Sequence, residues 1–448
     1  MKTILVLLDG IGDRSYPALE NRTPLQAART PNLDALAAMG ANGLYHASTL
    51  GQCLPSETAH FLMFGYDMAD FPGRGLLEAV GEGVAFDDAD VLCLCHLAGI
   101  RIRKTIPVLA LGRDHVKGTF SELSPFYDRI ATFTWGDIEF RLHQTHRNDG
   151  ILVISGDVSP HISDADPITR GKPIAKIMPV AGAPEPENAR KTADALNHYL
   201  KYAHDRLHKL KSAPADMLVT QRSGRRVRLE PFADQWGMRP LMIASSAVYA
   251  GLANELGFDF AKVADTGDPG RDLRERIRMA LDDTKHDFIH VHTKVPDEAS
   301  HKGTARMKKK AIASLDAGMD ELAAALSNTK KKADILAVVT GDHSTPCNSA
   351  LVHSGETVPV IFAGRTVRRD RVDRYDEISA AAGALGLMRG RELMQMILNC
   401  AERSVLNGLC LGAAVRSYVP EDYPYMEIGK LTASQKSNCS LFSPKSTI

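Results

Sequence analysis

The chain has 448 residues with 54 basic and 54 acidic side chains, so its formal net charge at pH 7 is zero. A balanced charge argues against a general nucleic-acid binder and against a protein that binds membrane surfaces. No apolar run approaches the roughly 20 residues that a membrane span requires, and the length allows two domains with a large core.

The first predicted element is a strand over residues 4–8, a continuous apolar run that ends at Asp9. Such a run is typical of a central parallel strand buried on both faces, and not of a signal peptide. Ligands bind at the carboxyl ends of such strands. The seven cysteines include no CxxC pair, so we expect reduced thiols in a cytoplasmic protein.

Three helices are predicted next from the residues of their first turns. At residues 23–24 and 30–31 a threonine precedes a proline, as at a helix start, and the second of these helices stops at Gly40. The third helix follows Pro55, with Ser56 as its N-cap, and ends at Gly65. A hydroxyl at the positive end of a helix dipole can bind phosphate or be activated, although a plain capping serine is the commoner case.

Residues 101–230 differ from the rest of the chain in composition and in predicted pattern, because basic residues are more frequent and the alternation of predicted strands and helices is less regular. Predicted strands at 138–142 and 151–154 and a long polar helix at 187–210 lie in this part. Buried strands return at 241–244, 288–291, 335–340 and 358–363, with a helix at about 304–326 between the second and third of them.

This pattern predicts an α/β fold with a mostly parallel sheet flanked by helices and an inserted α+β cap domain. The core would comprise residues 1–100 and 231–410, and the insert residues 101–230. Residues 411–448 would form a C-terminal extension whose last dozen residues are poorly ordered.

Acids and histidines cluster just beyond the carboxyl ends of the predicted parallel strands. Asp and His are the usual ligands of zinc or manganese where thiolates are absent. A spacing of four would place Asp297 and His301 on one helix face. The candidates are Asp9, Ser56, Asp297, His301, Asp342, His343 and His353.

These seven residues suit a two-metal centre, in which ions roughly 3.5–4 Å apart clamp the attacking and leaving oxygens of a phosphoryl displacement. Ser56 would then be the nucleophile, activated by an ion. A single Asp at a strand end is more often a cap or turn residue, and a single His is more often a hydrogen-bonded loop or core residue. The residues alone leave both interpretations open.

Several of these stretches together resemble one family, the cofactor-independent (2,3-bisphosphoglycerate-independent) phosphoglycerate mutases of the archaeal type, within the alkaline phosphatase superfamily. The resemblance extends from residue 1 to about Gly408 and is weak in the insert. Its specific combination is Ser56-Glu-Thr-Ala-His60 followed by Gly65-Tyr-Asp67, together with Thr340-Gly-Asp-His-Ser-Thr-Pro346. Among the other matching pieces are Gly73-Arg-Gly75 and Asp297-Glu-Ala-Ser-His301.

The resemblance implies an alkaline-phosphatase-like fold and a serine, Ser56, that carries the phosphoryl group from 3-phosphoglycerate to 2-phosphoglycerate. One divalent ion would be held by Asp9, Ser56, Asp342 and His343, and the other by Asp297, His301 and His353. The ions would be manganese or zinc, with magnesium as an alternative. The glycerate would be gripped by residues of the insert, namely His146, Arg147, Asp166 and Arg222.

The sequence departs from the family pattern at four places. Pro55 replaces a glycine before the serine, and Ala250 replaces a lysine. An Arg-rich segment of the insert is missing, with Arg113-Asp114 as its nearest remnant, and the tail extends beyond Leu409.

Because the metal ligands are kept while substrate-handling residues differ, two alternatives to a mutase stay open. One is a phosphatase or phosphotransferase acting on another small phosphorylated metabolite, with a homoserine-kinase-like role as an example. The other is a non-catalytic, metal-binding regulatory protein. Whether the protein is a mutase or a phosphatase or phosphotransferase, its expected partner is a small phosphorylated metabolite, and neither nucleic acid nor a membrane is expected as a partner. The sequence leaves the oligomeric state open.

Overall fold

Residues 1–210, 213–328 and 334–426 are described by a computed structural model. Its strands are β1 (Lys2–Leu8), β2 (Ala41–His46), β3 (Val91–Arg103), β4 (Ile106–Leu111), β5 (Thr132–Trp135), β6 (Ile138–His146), β7 (Asp149–Ser155), β8 (Met217–Gly224), β9 (Pro240–Ala244), β10 (Asp259–Lys262), β11 (Phe288–Thr293), β12 (Ile335–Thr340), β13 (Val358–Gly364) and β14 (Gly386–Arg389). Its helices are α1 (Pro24–Ala27), α2 (Pro31–Met39), α3 (Ser56–Met63), α4 (Arg74–Glu82), α5 (Phe120–Asp128), α6 (Pro186–His208), α7 (Phe232–Trp236), α8 (Ala247–Leu256), α9 (Pro269–Asp282), α10 (Val295–Lys302), α11 (Ala305–Gly318), α12 (Asp320–Ser327), α13 (Glu377–Ala380) and α14 (Glu392–Cys400).

The larger sheet has eight strands in the order β10-β9-β11-β1-β12-β13-β2-β14. β1 lies between β11 and β12 and is parallel to both, whereas β13 runs antiparallel to its two neighbours. The predicted α/β fold with a mostly parallel sheet is therefore confirmed. The apolar run of β1 is fully buried, which explains why its sequence shows no alternation of polar and apolar residues.

One predicted helix is wrong in extent. The single helix expected over residues 304–326 is two helices, α11 and α12, which meet at Met319. At the end of α11, Gly318 approaches the N-terminus of α9 so closely that a Cβ would lie 2.5 Å from the carbonyl oxygen of Gly270. The local pattern showed continuous helix because this break is caused by packing against α9, which is distant in sequence.

The second sheet is antiparallel, with the order β4-β3-β7-β6-β5. β8 also pairs with β3, along the edge opposite β7. It has its own hydrophobic core, in which Cys93 and Cys95 lie beside residues of α6. The sheet begins at Val91, before residue 101. The division of the chain into domains at residues 101, 230 and 410 remains a prediction.

The Gly73-Arg74-Gly75 stretch lies where the second sheet meets the helices of the first. A Cβ on Gly73 would lie 2.5 Å from the carbonyl oxygen of Ser223, and one on Gly75 would lie 2.1 Å from that of Leu92. Gly73 also has a φ of +88°, which favours glycine. These glycines let the backbone of α4 contact β3 and β8 directly.

The described part of the C-terminal extension packs along α7. The hydroxyl of Tyr418 donates to the carbonyl oxygen of Asp234 at 2.7 Å, and Arg416 pairs with Glu230. The predicted disorder of the last dozen residues lies outside the described residues, as does Cys439. The other six cysteines are free thiols, and no helix of the described chain is long and apolar enough to span a membrane.

Candidate active site

The candidate site lies at the carboxyl ends of β1, β11 and β12. Asp9 directly follows β1, Asp297 lies in α10 after β11, and Asp342 follows β12. The backbone ties these ends together, because the amide of Asp297 donates to the carbonyl oxygen of Asp9 and the amide of Gly10 donates to Asp342 Oδ1, both at 3.0 Å. Three neighbouring parallel strands thus bring three carboxylates to one edge of the sheet.

Around Ser56, four predicted site residues converge. Ser56 Oγ is 3.0 Å from His343 Nε2 and 3.4 Å from Asp9 Oδ1. The same His343 nitrogen lies 3.5 Å from Asp9 Oδ1 and 3.2 Å from Asp342 Oδ2. All four side chains are buried, so their charges interact with little screening by water.

The other three predicted ligands form a second group beside the first. His301 lies one turn after Asp297 in α10, and its Nε2 is 3.0 Å from Asp297 Oδ1. His353 Nε2 is 3.4 Å from the same oxygen, while His353 Nδ1 contacts the carbonyl oxygen of Leu54 at 2.7 Å. The rings of His343 and His353 stack with centroids 3.8 Å apart, which joins the two groups.

The prediction that Ser56 is an N-cap is wrong. Pro55 occupies the N-cap position, Ser56 is the first residue of α3, and its side chain makes no capping hydrogen bond. The hydroxyl contacts Asp9 and His343 instead. Sequence alone does not distinguish the two, because a serine at the start of an apolar helical run can be either the N-cap or the first helical residue, and the contact with His343 joins segments 287 residues apart.

The donor set fits divalent cations. Asp9, Asp342 and His343 offer ligand atoms within 4.8 Å of one another, and so do Asp297, His343 and His353. Asp342 Oδ2 is buried and accepts no hydrogen bond from the described residues. Three buried carboxylates face one ammonium, that of Lys294, so the cluster has an excess of negative charge that cations would offset.

Asp9 and Asp297 are held in their ionised form. Burial opposes ionisation of Asp9, but the charge of Lys294 and the hydrogen bond from His292 outweigh it, so the pKa of Asp9 lies well below its usual range. Burial likewise opposes ionisation of Asp297, whereas its contacts with His301 and His353 lower the pKa of that carboxyl. Metal ligation by carboxylates requires this ionised state.

Several residues of the site were missed by sequence reasoning. Lys294 Nζ lies 3.6 Å from Asp9 Oδ2 and 3.4 Å from Asp297 Oδ2. Thr345 Oγ1 donates to Asp297 Oδ1 at 2.9 Å. Tyr249 and His292 contact Asp9 from the side away from Ser56. Of these, Lys294 could have been found from its place between β11 and Asp297, but Tyr249 carries no such pattern.

Among the described contacts, Arg222 is the one predicted insert residue that directly contacts a neighbour of Ser56. Its Nη1 donates to Glu57 Oε1 at 3.0 Å, and Arg74 pairs with the other Glu57 oxygen at 3.4 Å. The backbone of Arg222 has a φ of +54°, and its amide donates to Asp164 Oδ1 at 2.6 Å. A left-handed backbone conformation costs free energy for a residue other than glycine. The hydrogen bond from the Arg222 amide to Asp164 offsets part of this cost and helps to hold Arg222 toward Glu57.

The other three predicted insert residues have partners outside the cluster around Ser56. His146 Nε2 contacts Glu82 at 2.8 Å, and Arg147 donates to backbone carbonyls of residues 113 and 116. Asp166 lies 3.7 Å from His96. Within the described residues, none of their hydrogen bonds or ion pairs joins them to the seven candidate ligands.

Substitution of Glu57 by glutamine is expected to destabilise the protein by about 2–4 kcal/mol, because Arg222 loses its carboxylate partner and Arg74 keeps only Glu78. Urea denaturation followed by tryptophan fluorescence measures the change. The matched control is Glu275→Gln, which breaks the exposed pair with Arg271 and should change stability by less than about 1 kcal/mol. Equal effects of both substitutions would contradict the importance of the buried pair.

Comparison with known proteins first identifies the class. The sequence model of the Metalloenzyme superfamily matches residues 1–400. Among solved structures, a protein of Pyrococcus horikoshii superposes with a TM-score of 0.71 at 26% identity and covers 91% of this chain and 99% of its own. The cofactor-independent phosphoglycerate mutase of Thermoplasma acidophilum superposes with a TM-score of 0.58 at 28% identity, over 90% of this chain and 100% of its own.

Sequence relatives then narrow the class. The chain is 37% identical over 438 residues to 2,3-bisphosphoglycerate-independent phosphoglycerate mutase 2 of Methanocaldococcus jannaschii, covering 94% of this chain and 98% of the relative. It is 33% identical over 418 residues to the corresponding mutase of Methanopyrus kandleri, covering 90% and 97%. The chain belongs to the metalloenzyme superfamily and, within it, to the 2,3-bisphosphoglycerate-independent phosphoglycerate mutases.

Proposed function

We propose that this protein interconverts 3-phosphoglycerate and 2-phosphoglycerate by phosphoryl transfer through Ser56. The observation that carries the proposal is the position of the Ser56 hydroxyl, 3.0 Å from His343 Nε2 and 3.4 Å from Asp9 Oδ1, inside a buried group of candidate metal ligands. Family membership supports the same reaction, because the curated relatives are named as mutases of this type. A phosphatase or homoserine-kinase-like activity is therefore not favoured.

The proposed ligands of one ion are Asp9, Ser56, Asp342 and His343, and those of the other are Asp297, His301 and His353. Bound divalent ions would lower the pKa of a coordinated hydroxyl and offset the charge on phosphoryl oxygens. Manganese or zinc suits this mixture of carboxylate and imidazole ligands, with magnesium as an alternative. The family and the donor groups support divalent ions in general, and the identity of the ions is part of the proposal.

The chain itself supplies the remaining parts of the site. Ser56 stands in the first turn of α3, where the positive end of the helix dipole would attract the phosphoryl oxygens. Lys294 is partly exposed beside Asp9 and Asp297 and adds a cation at the same place. The family pattern has a lysine where this chain has Ala250. Lys294 is a candidate for supplying that missing positive charge.

The glycerate would be bound from the side of the second sheet. Arg222 is the best supported of the four proposed contacts, because it already reaches Glu57, next to Ser56. Arg is suited to bidentate recognition of phosphate and carboxylate. For His146, Arg147 and Asp166 the proposal requires exchange of their present partners for substrate. A mutase also has to keep water from the phosphoserine, and closure of the second sheet over Ser56 would do so.

The test is incubation of the purified protein with 3-phosphoglycerate and Mn²⁺, followed by ³¹P NMR. The expected result is conversion to 2-phosphoglycerate without release of inorganic phosphate, and the reverse reaction from 2-phosphoglycerate. Release of phosphate alone would identify a phosphatase, and no change with Mn²⁺, Zn²⁺ or Mg²⁺ would exclude phosphoglycerate as the substrate. A cytoplasmic location remains a prediction from the sequence.

A further inference from the structure

Two buried side chains converge on one oxygen of Asp9. The hydroxyl of Tyr249 donates to Asp9 Oδ2 at 2.9 Å, and His292 Nε2 lies 3.1 Å from the same oxygen. We propose that Tyr249 is a positioning residue which, together with His292, occupies Oδ2 and leaves Oδ1 as the atom that Asp9 offers to a divalent cation. The inference rests on the proposed metal site and names a residue that controls it.

The two oxygens of Asp9 have different surroundings. A carboxylate oxygen has two lone pairs, and Tyr249 and His292 fill those of Oδ2, while Lys294 Nζ stays at ion-pair distance from it, at 3.6 Å. Oδ1 faces Ser56 Oγ at 3.4 Å and His343 Nε2 at 3.5 Å, which are both candidate ligands of the same ion. The arrangement therefore favours ligation through Oδ1 alone. Hydrogen bonds to the free oxygen of a ligating carboxylate fix its orientation and raise metal affinity.

The proton positions follow from the network. A phenol hydroxyl donates at neutral pH, and Asp9 Oδ2 is the acceptor that the described residues offer to Tyr249. His292 Nδ1 is buried and has no hydrogen-bond partner among the described residues. With the proton on Nε2, His292 donates to Asp9 Oδ2, and the buried Nδ1 is an acceptor without a donor among the described residues. With the proton on Nδ1, the buried N–H would have no acceptor there, and Nε2 would face the Asp9 carboxylate without a proton to donate. We assign the proton to Nε2 on this basis.

Packing holds Tyr249 in place. Tyr249 lies in α8, which packs backbone to backbone against α4: a Cβ on Gly251 would lie 1.8 Å from the carbonyl oxygen of Leu77, and one on Gly81 would lie 1.9 Å from that of Ala247. The Tyr249 ring also contacts the ring of His292, with centroids 4.0 Å apart. Its side chain is fully buried, so the hydroxyl has little freedom to leave Asp9.

The test is calorimetric titration of the metal-free Tyr249→Phe variant with Mn²⁺, without substrate. This variant removes the hydroxyl and leaves the ring. One of the two binding steps is expected to weaken about 10- to 100-fold, while the other keeps its affinity. The weakened step should be the one that Asp342→Asn removes, because Asp9 and Asp342 belong to the same donor group.

Tyr199→Phe is the matched control. Tyr199 is also fully buried, and its hydroxyl donates to the carbonyl oxygen of Ile130 at 2.7 Å in the core of the second sheet. This substitution should leave both Mn²⁺ affinities unchanged. Unchanged affinities in Tyr249→Phe would overturn the proposal. So would equal weakening of both steps with a lower melting temperature of the metal-free protein, which would show a structural effect only.

This result is separable from that of the proposed function. Mn²⁺ affinity is measured without phosphoglycerate, so a wild-type protein that binds metal but lacks mutase activity would contradict the proposed reaction and not the positioning by Tyr249. Conversely, an active wild-type enzyme whose Tyr249→Phe variant binds Mn²⁺ normally would contradict only the positioning.

Discussion

Ser56→Ala is expected to lower kcat by about 10⁴-fold or more, because the substitution removes the atom that would carry the phosphoryl group. The hydroxyl makes its contacts with Asp9 and His343 and does not cap α3, so its loss should leave the helix and the melting temperature nearly unchanged. The assay is exchange between 3-phosphoglycerate and 2-phosphoglycerate, measured by ³¹P NMR.

Ser159→Ala is the control for the loss of a buried serine hydroxyl. Ser159 is as buried as Ser56 but lies in the region of the second sheet, between β7 and α6, and should keep nearly full activity when substituted. In the wild type, brief reaction with ³²P-labelled substrate followed by acid quenching should label Ser56. Substantial turnover by Ser56→Ala, or label on another residue, would contradict the covalent mechanism.

Asp342→Asn is expected to separate metal binding from folding. Asp342 Oδ1 accepts hydrogen bonds from the amides of Gly10 and His343, and an asparagine oxygen can accept both. Oδ2 accepts no hydrogen bond from the described residues, but it lies 3.2 Å from His343 Nε2, so the metal-free fold loses this buried contact when the oxygen is replaced. The substitution removes one of three buried negative charges together with this contact, and because the two effects oppose each other we expect the melting temperature of the metal-free protein to change little.

In contrast to the melting temperature of the metal-free protein, metal binding and activity should both decrease clearly in Asp342→Asn. Mn²⁺ at about 100 times its dissociation constant stabilises a folded protein by about 2.7 kcal/mol per site. The variant should lose this stabilisation for one site, and calorimetry should show one ion fewer than in the wild type. Turnover should fall by about a thousandfold or more, because an ion contributes several kcal/mol to stabilising the transition state. Two retained ions with normal affinity would contradict the assignment of Asp342 as a ligand.

The positions of the candidate ligands could be predicted because they follow buried strands directly. A central parallel strand is mostly apolar, and Asp9 and Asp342 stand out just after the points where the apolar runs of β1 and β12 end. The spacing of Asp297 and His301 likewise reads as one helical turn. These features are local, and each is visible within a few residues of sequence.

The direction of the Ser56 hydroxyl was not predictable in the same way. Serine before an apolar helical run is a common N-cap, but here Ser56 is the first helical residue and its hydroxyl contacts Asp9 and His343, which are 47 and 287 residues away in sequence. The same holds for the break between α11 and α12, which depends on the close approach of Gly318 to α9. Contacts between distant segments override local preference in both cases.

The sequence by itself therefore determined the α/β class, the mostly parallel sheet and the strand ends that carry the acids and histidines, because local periodicity encodes burial. Only the tertiary structure decided which side chains surround those residues. Tyr249 and His292 meet Asp9 because α8 and β11 lie beside β1, and Arg222 meets Glu57 because the second sheet packs on α4. No local pattern specifies such pairs, since each joins segments that are brought together only when the sheets have formed.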